Sequence, residues 1–198
     1  MGSTDYACDD DGIAFITINN PSRKNAMTYQ MIEQMYRHLT VAGNEARVVI
    51  LTGAEDAFCA GIDLNFLSGI PPEERGIKVP THDENGLWNI TACPVPVIAA
   101  VNGPAVGMGA EWTSHCDIRI VSTNARFAWN FAHRGLIPDT GAGTWLLPRQ
   151  IGIQNALKLL YSGEWLDAQR AYEIGYVTQI VDPEYPVSYT HLTLPTIE

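Results

Sequence analysis

No stretch of about 18 uninterrupted apolar residues occurs in the chain, so nothing in it reads as a membrane-spanning helix. Basic residues are scarce: 12 Lys and Arg stand against 22 Asp and Glu, a formal net charge of -10. That balance argues against nucleic acid or an anionic membrane surface as the main partner, while a local cationic spot could still take an anionic small molecule. The start, MGSTDYACDDDG, has neither the basic residues nor the apolar run of a signal peptide, and the expected location is the cytoplasm. Only four cysteines are present, Cys8, Cys59, Cys93 and Cys116, far apart and without a CxxC or a zinc-type His/Cys spacing. They read as reduced, mostly buried thiols, and no metal is expected.

What the 198 residues do supply is apolar content, 46% against 17% charged, enough for one globular domain with a sizeable core. Ile13 to Ile18 is a β-rich run after an Asp-Gly turn. Met31, Ile32, Met35 and Leu39 then recur at helical spacing, which predicts a helix over Tyr29 to Leu39 with the methionines as core filling. Arg47 to Thr52 and Val95 to Val101 are continuous apolar runs, the pattern of strands covered on both faces of a parallel sheet. Ile118 to Val121, Arg126 to Trp129 and Val177 to Val181 read as further strands. Asn155 to Tyr161 reads as a helix stopped by Gly163, and Asp167 as the N-cap of a short helix. Alternating strands and helices predict an α/β fold. Between Gly69 and Asn89, Pro, Gly and charged residues suggest a mobile surface segment, not a second domain.

The last dozen residues, VSYTHLTLPTIE, break this logic. V-S-Y-T-H-L is what the end of a common transposon-based sequencing adapter encodes in one frame. The expectation is a core domain over residues 1–186 and a non-native tail over 187–198; a genomic copy of the gene that keeps VSYTHL would overturn it.

The chemistry concentrates in two glycine loops. In NGPAVGMGAEW, from Asn102 to Trp112, glycines let the backbone approach a ligand closely, and a helix starting at Gly109 or Ala110 would aim unpaired N–H groups and its positive dipole end at a negative charge. In AFCAGIDL, from Ala57 to Leu64, a turn at Gly61 would present the N–H of Ile62. The N–H groups of Ile62 and Met108 could then form an oxyanion hole, with Glu111 facing the attached carbon skeleton. Close helix–strand packing with a capping glutamate explains NGPAVGMGAEW equally well in isolation. The third glycine of GxGxxG is missing, as is the GxxxxGK[ST] phosphate loop.

The order of three motifs breaks that tie. RVVILTGAEDAFCAGIDL, then PVPVIAAVNGPAVGMGAE, then GLIPDTGAGTWLLPRQIG resembles the enoyl-CoA hydratase/isomerase (crotonase) superfamily over roughly Gly12 to Asp182. The resemblance implies a crotonase-like spiral of ββα units, coenzyme A thioester substrates, and no metal or organic cofactor. It makes Arg23 and Lys24, in NNPSRKNAM, candidates for phosphate contacts, and Ala60, Gly61, Asp63, Leu64 and Gly107 further coenzyme A-binding candidates. It places Ile62 and Met108 as the oxyanion donors and Glu111 at one of the hydratase's two catalytic glutamates. It also implies a C-terminal helical module, absent from this chain, that packs subunits into trimers or trimer pairs.

One departure stands out: where hydratases carry their second glutamate, RFAWNFAHRG has Phe131. Asp139 in LIPDTG sits instead where several isomerase branches of the family place a catalytic aspartate, although Pro-Asp-Thr-Gly is also a strong β-turn sequence. Hydration of a 2-enoyl-CoA through Glu111, double-bond isomerisation through Asp139, and non-catalytic acyl-CoA binding all stay open, with hydration leading. His133 reads as a surface or packing residue, His115 and Cys116 as core, and Trp112, Trp129 and Trp145 as either core or acyl-pocket walls.

Overall fold

The computed structural model of the chain describes residues 2–75, 88–138 and 143–182. Asp139, the tail over 187–198 and residues 76–87 of the expected surface segment lie outside the described residues.

Strand β1 (Ser3–Cys8) and strand β2 (Ile13–Asn19) form an antiparallel hairpin, its turn closed by the Asp9 carboxylate, which accepts from the N–H groups of Asp11 and Ile13. Polar STDYAC carries no apolar run, and β1 is absent from the expectations for that reason. Helix α1 (Tyr29–Glu45) follows, opened by Thr28, whose hydroxyl accepts from Met31 N–H. It buries Met31, Ile32, Met35 and Leu39 as their spacing predicts, and it continues six residues past Leu39.

Strands β3 (Val48–Gly53), β4 (Val97–Val101), β6 (Ile118–Ser122) and β9 (Gln179–Val181) complete a six-stranded sheet in the order β1-β2-β3-β4-β6-β9, parallel from β2 onwards. All of β3 and β4 is buried, which explains why both read as continuous apolar runs. β4 begins two residues later than expected. Pro94 and Pro96 lack the N–H that a ladder needs, and only the Pro96 carbonyl is used, by Val49.

A smaller sheet joins β5 (Pro104–Val106), β7 (Arg126–Ala128) and β8 (Leu166–Asp167). Helix α3 (Met108–His115) follows β5, and helix α4 (Gly143–Ile151) follows β7. Thus β4-β5-α3 and β6-β7-α4 are successive ββα units, each sending its first strand to the large sheet and its second to the small one. Helix α5 (Ile153–Ser162) ends at Gly163, whose φ of 61° provides the left-handed cap, and Asp167 caps helix α6 (Ala168–Glu173) through Arg170 N–H.

Between the sheets and helices lie Phe58, Trp112, Phe127, Trp129 and Tyr176, each burying about 2 kcal/mol or more of apolar surface. Trp129 packs against Phe127 and Tyr176. The Tyr176 hydroxyl is shared with Thr113 and Ser114 of α3, which locks that helix into the core. Arg119, also buried, donates to the carbonyls of Thr113 and Cys116 at the end of α3, where a cation complements the helix dipole.

Candidate active site

The segment Phe58 to Asp63 is held on both sides by backbone. Phe58 and Cys59 N–H donate to the Pro104 carbonyl, and Val106 N–H donates to the Cys59 carbonyl. On the other side Met27 N–H donates to Gly61, Asp63 N–H donates to Met27, and Ala60 N–H donates to Lys24. The Gly61 carbonyl therefore points at Met27. Because the peptide is trans, the N–H of Ile62 on the same peptide unit points the opposite way, away from Met27.

Gly107 begins the opposing wall with φ 55° and ψ -121°, a conformation essentially restricted to glycine. Its N–H is fixed on the Ala128 carbonyl, and its own carbonyl accepts from Glu111 N–H. α3 thus starts at Met108, one residue before the earlier of the two expected starts, which leaves Met108 N–H as a first-turn donor. A Cβ on Gly61 would stand 3.7 Å from Met108 N, so the two loops form one wall. Among the described residues, neither Ile62 N–H nor Met108 N–H is used by a backbone carbonyl.

These groups border a cavity of about 340 Å³. Ala60, Gly61, Ile62, Leu64, Gly107 and Met108, all expected at the site, line it. So do residues that the sequence did not single out: Tyr29, Leu67, Arg75, Asn130, Arg134 and Leu136. They arrive from α1, from helix α2 (Leu64–Ser68) and from the turns after α2 and β7, and only their meeting in space marks them. Phe131 also lines the cavity, its ring edge 3.8 Å from where a Gly107 Cβ would be.

Glu111 is fully buried one turn into α3 but is not part of this cavity wall. Its carboxylate lies against Gly143, the first residue of α4, where a Cβ would come within 2.6 Å of Oε1. The positive end of the α4 dipole meets the carboxylate there. Asp139, its expected partner, lies outside the described residues.

Arg23 and Lys24, expected as phosphate contacts, lie beside the site with carboxylate partners. Arg23 pairs with Asp63 at 3.1 Å and Lys24 with the exposed Asp56. The Arg23 hydrogen bond holds the Asp63 carboxyl below its ordinary value, against the opposing effect of partial burial. Asp63 also caps α2, accepting from Asn65 and Phe66 N–H. The turn carrying both cations is pinned by buried Asn25, which accepts from Asn20 N–H and donates to the carbonyls of Ala54 and Ala57. Consecutive positive φ at Lys24 and Asn25 was the local signal for this turn, since asparagine tolerates that conformation better than most side chains.

Other candidates separate cleanly. Trp112 and Trp129 are core, and Trp145 is exposed under the Arg149 guanidinium, so none of the three lines the cavity. His133 is hydrogen-bonded through Nε2 to the Ser162 carbonyl, a packing role, and His115 is buried beside the Thr91 hydroxyl. All four cysteines are free, and burial pushes the Cys59 and Cys116 thiols up to about 12, which keeps them neutral. Cys8 is exposed, and Cys93 half-buried.

The profile of the enoyl-CoA hydratase/isomerase family matches residues 9–195, and the chain belongs to that family. A protein named probable enoyl-CoA hydratase from Rhodobacter capsulatus is 37% identical over 175 residues, covering 86% of this chain and 66% of that one. The 1,2-epoxyphenylacetyl-CoA isomerase of Escherichia coli is 38% identical over 178 residues, with 87% and 68% covered. The ethylmalonyl-CoA decarboxylase of Homo sapiens is 35% identical over 182 residues, with 91% and 59% covered. The chain therefore spans about two thirds of the length of the curated relatives it matches. Among solved structures, the enoyl-CoA hydratase/isomerase of Pseudoalteromonas atlantica superposes with a TM-score of 0.85 at 32% identity, covering 96% of this chain and 74% of that one. The crotonase-like fold expected from the three motifs is the fold observed.

Proposed function

We propose that this chain is the core of an acyl-CoA enzyme that holds a thioester enolate oxygen between the N–H groups of Ile62 and Met108, and that its reaction is hydration of a 2-enoyl-CoA to a 3-hydroxyacyl-CoA. The observation that carries this reading is the meeting of the two loops at one cavity, which Ile62 and Met108 both line with N–H groups used by no backbone carbonyl among the described residues, with Glu111 one helical turn from Met108. A carbonyl oxygen bound there gains charge as the reaction proceeds, and the loss of one such donor typically costs about 3 kcal/mol of transition-state stabilisation.

In hydration the Glu111 carboxylate takes a proton from water while the water oxygen bonds to Cβ of the substrate. The π electrons move onto the thioester oxygen, where the two N–H groups hold them. The enolate then collapses as Cα takes a proton from water or from a protonated Asp139, the proton held by Glu111 passes to the hydroxide or carboxylate so left, and one H and one OH have added across the double bond with both carboxyl groups restored. No metal or organic cofactor takes part; coenzyme A enters and leaves with the acyl group. Ala60, Gly61, Leu64 and Gly107 would contact the thioester arm, while Arg23, Lys24 and Asp63 would contact phosphate or ribose only by exchanging their present partners.

A second reading is favoured by Phe131, which lines the cavity at the position to which the family resemblance assigns a hydratase's second glutamate. Double-bond isomerisation needs no added water: one carboxylate can remove a proton from one carbon and return it to another, with Asp139, Glu111 or both in that role. Crotonyl-CoA and a 3-enoyl-CoA, supplied to wild type, Glu111→Gln and Asp139→Asn, separate the readings. Under hydration, Glu111→Gln lowers crotonyl-CoA turnover by about 10²- to 10⁴-fold, the range for removing a general base. Isomerase activity lost in Asp139→Asn with no hydration in wild type selects the second reading, and binding without turnover of either substrate marks a non-catalytic relative.

The exposed Trp145, Ile153, Leu157 and Tyr161 on α4 and α5 support the subunit packing that the family resemblance implies.

A further inference from the structure

The cavity carries more positive charge than its proposed chemistry needs. Its walls are apolar at Tyr29, Leu64, Leu67, Phe131 and Leu136, which suits an acyl chain. Two arginines interrupt them, Arg75 from the turn after α2 and Arg134 from the short 3₁₀ turn Ala132–Arg134 after β7. No Asp or Glu is among the described residues lining the cavity, although acidic residues outnumber basic ones 22 to 12 in the chain. Neither arginine forms an ion pair among the described residues, in contrast to Arg23 and Lys24.

Both positions are built. Arg75 Nε donates to the Ile70 carbonyl at 2.8 Å. The turn carrying Arg134 is closed by Gly135 in the left-handed conformation and fastened to the end of α5 by the His133–Ser162 hydrogen bond. Two arginines from separate elements line one largely apolar cavity in which no described residue supplies a counter-charge, which leaves a place for an anionic group of the ligand, and guanidinium matches carboxylate geometry better than any other side chain does.

We propose that the preferred thioester carries a second carboxylate on its acyl group, held by Arg134 with Arg75. The inference rests on the reading that a coenzyme A thioester occupies this cavity, but not on which reaction follows. The alternative source of negative charge is a phosphate of coenzyme A itself, and the test separates the two.

Calorimetric titration with butyryl-CoA and with glutaryl-CoA, which differ only by the terminal carboxylate, reads the effect directly. Wild type is expected to bind glutaryl-CoA at least about tenfold more tightly, and Arg134→Gln to cut that ratio to about threefold or less, as expected for loss of a charge-assisted contact. Arg75→Gln should reduce the ratio by less, and Arg134→Lys should keep part of it. The same preference should appear between butyryl- and glutaryl-pantetheine, which lack the nucleotide phosphates. Equal affinity for the two CoA esters in wild type overturns the proposal while leaving the thioester reading intact. A loss in Arg134→Gln that is equal for both CoA esters and absent for both pantetheine esters overturns it in favour of phosphate binding. Failure of either CoA ester to bind wild type removes the thioester reading and the proposal together.

Discussion

The two sides of the cavity are made in different ways. The floor, Cys59 to Ile62 against Val106 to Met108, is backbone laid on backbone: the carbonyls of Pro104, Cys59 and Lys24 accept from Cys59, Val106 and Ala60 N–H, Met27 N–H donates to Gly61, and a Cβ on Gly109 would stand 2.2 Å from the Cys59 carbonyl oxygen. The rim, Arg75, Arg134 and Leu136, is made of exposed side chains on short turns, and a Cβ on Gly135 would meet nothing within 4 Å. On the proposed reading the floor holds an oxyanion through backbone alone, where hydrogen bonds and not side-chain rotamers set the geometry. The rim can change residue by residue without disturbing the floor, which suits selectivity among acyl groups.

The sharpest way to break this contrast is one methyl group on each side. Gly109→Ala drives Cβ into the Cys59 backbone, and neither wall can retreat without opening the hydrogen bonds between Cys59, Pro104 and Val106. We expect destabilisation of at least about 3 kcal/mol, the upper end of overpacking costs, measured as the shift in urea midpoint. Gly135→Ala has open space and carries only the strain of φ 65°, about 1 to 2 kcal/mol. Equal losses from the two would mean that the floor is no more constrained than the rim.

A smaller structural effect with a larger chemical one is expected at Gly143. A Cβ there would come within 2.6 Å of Glu111 Oε1, the far end of a flexible side chain that can swing aside. Gly143→Ala should therefore change stability by less than about 1 kcal/mol, since the helix propensity of alanine offsets part of the strain. Moving a reacting carboxylate by about 1 Å can cost up to about 10²-fold in rate, so activity should fall far more than stability does. Full activity in a well-folded Gly143→Ala protein would remove Glu111 from the reaction. Stopped assays beside a thermal melt of the same preparation decide it.

That glycine also marks how far the sequence could be read. Continuous apolar runs disclosed β3 and β4, and helical spacing disclosed α1, because burial on two faces or along one stripe leaves a periodic trace. The two glycine loops were legible for a similar reason: a glycine that must adopt φ 90° or leave room for a carbonyl is visible as a glycine. β1 left no such trace, its residues being polar at a sheet edge. Nor did Arg75, Asn130, Arg134 or Gly143, whose importance lies in what they face across the fold and not in their neighbours along the chain. The tryptophans, legible as bulky apolar residues, could not be assigned between core and cavity before the packing was known.

The smallest expected effect tests the cationic turn beside the floor. Asp63 does two things at once, capping α2 through Asn65 and Phe66 N–H and pairing with Arg23, whose side chain is 44% exposed. Loss of the cap in Asp63→Ala should cost about 1 kcal/mol, whereas Arg23→Gln, removing only a partly exposed ion pair, should cost between 0 and about 1 kcal/mol. The Asp63 carboxyl is lowered from its ordinary 3.8, first by the Arg23 hydrogen bond, so its contribution to stability is present above about that pH and is lost as pH falls through the lowered folded value. The gap between wild type and Asp63→Ala in urea midpoint should thus be constant from pH 7 to pH 5 and shrink below pH 4. A gap that stays fixed down to pH 2 would show that the cap works without the charge, and that Arg23 is available to a ligand phosphate at little cost to the fold.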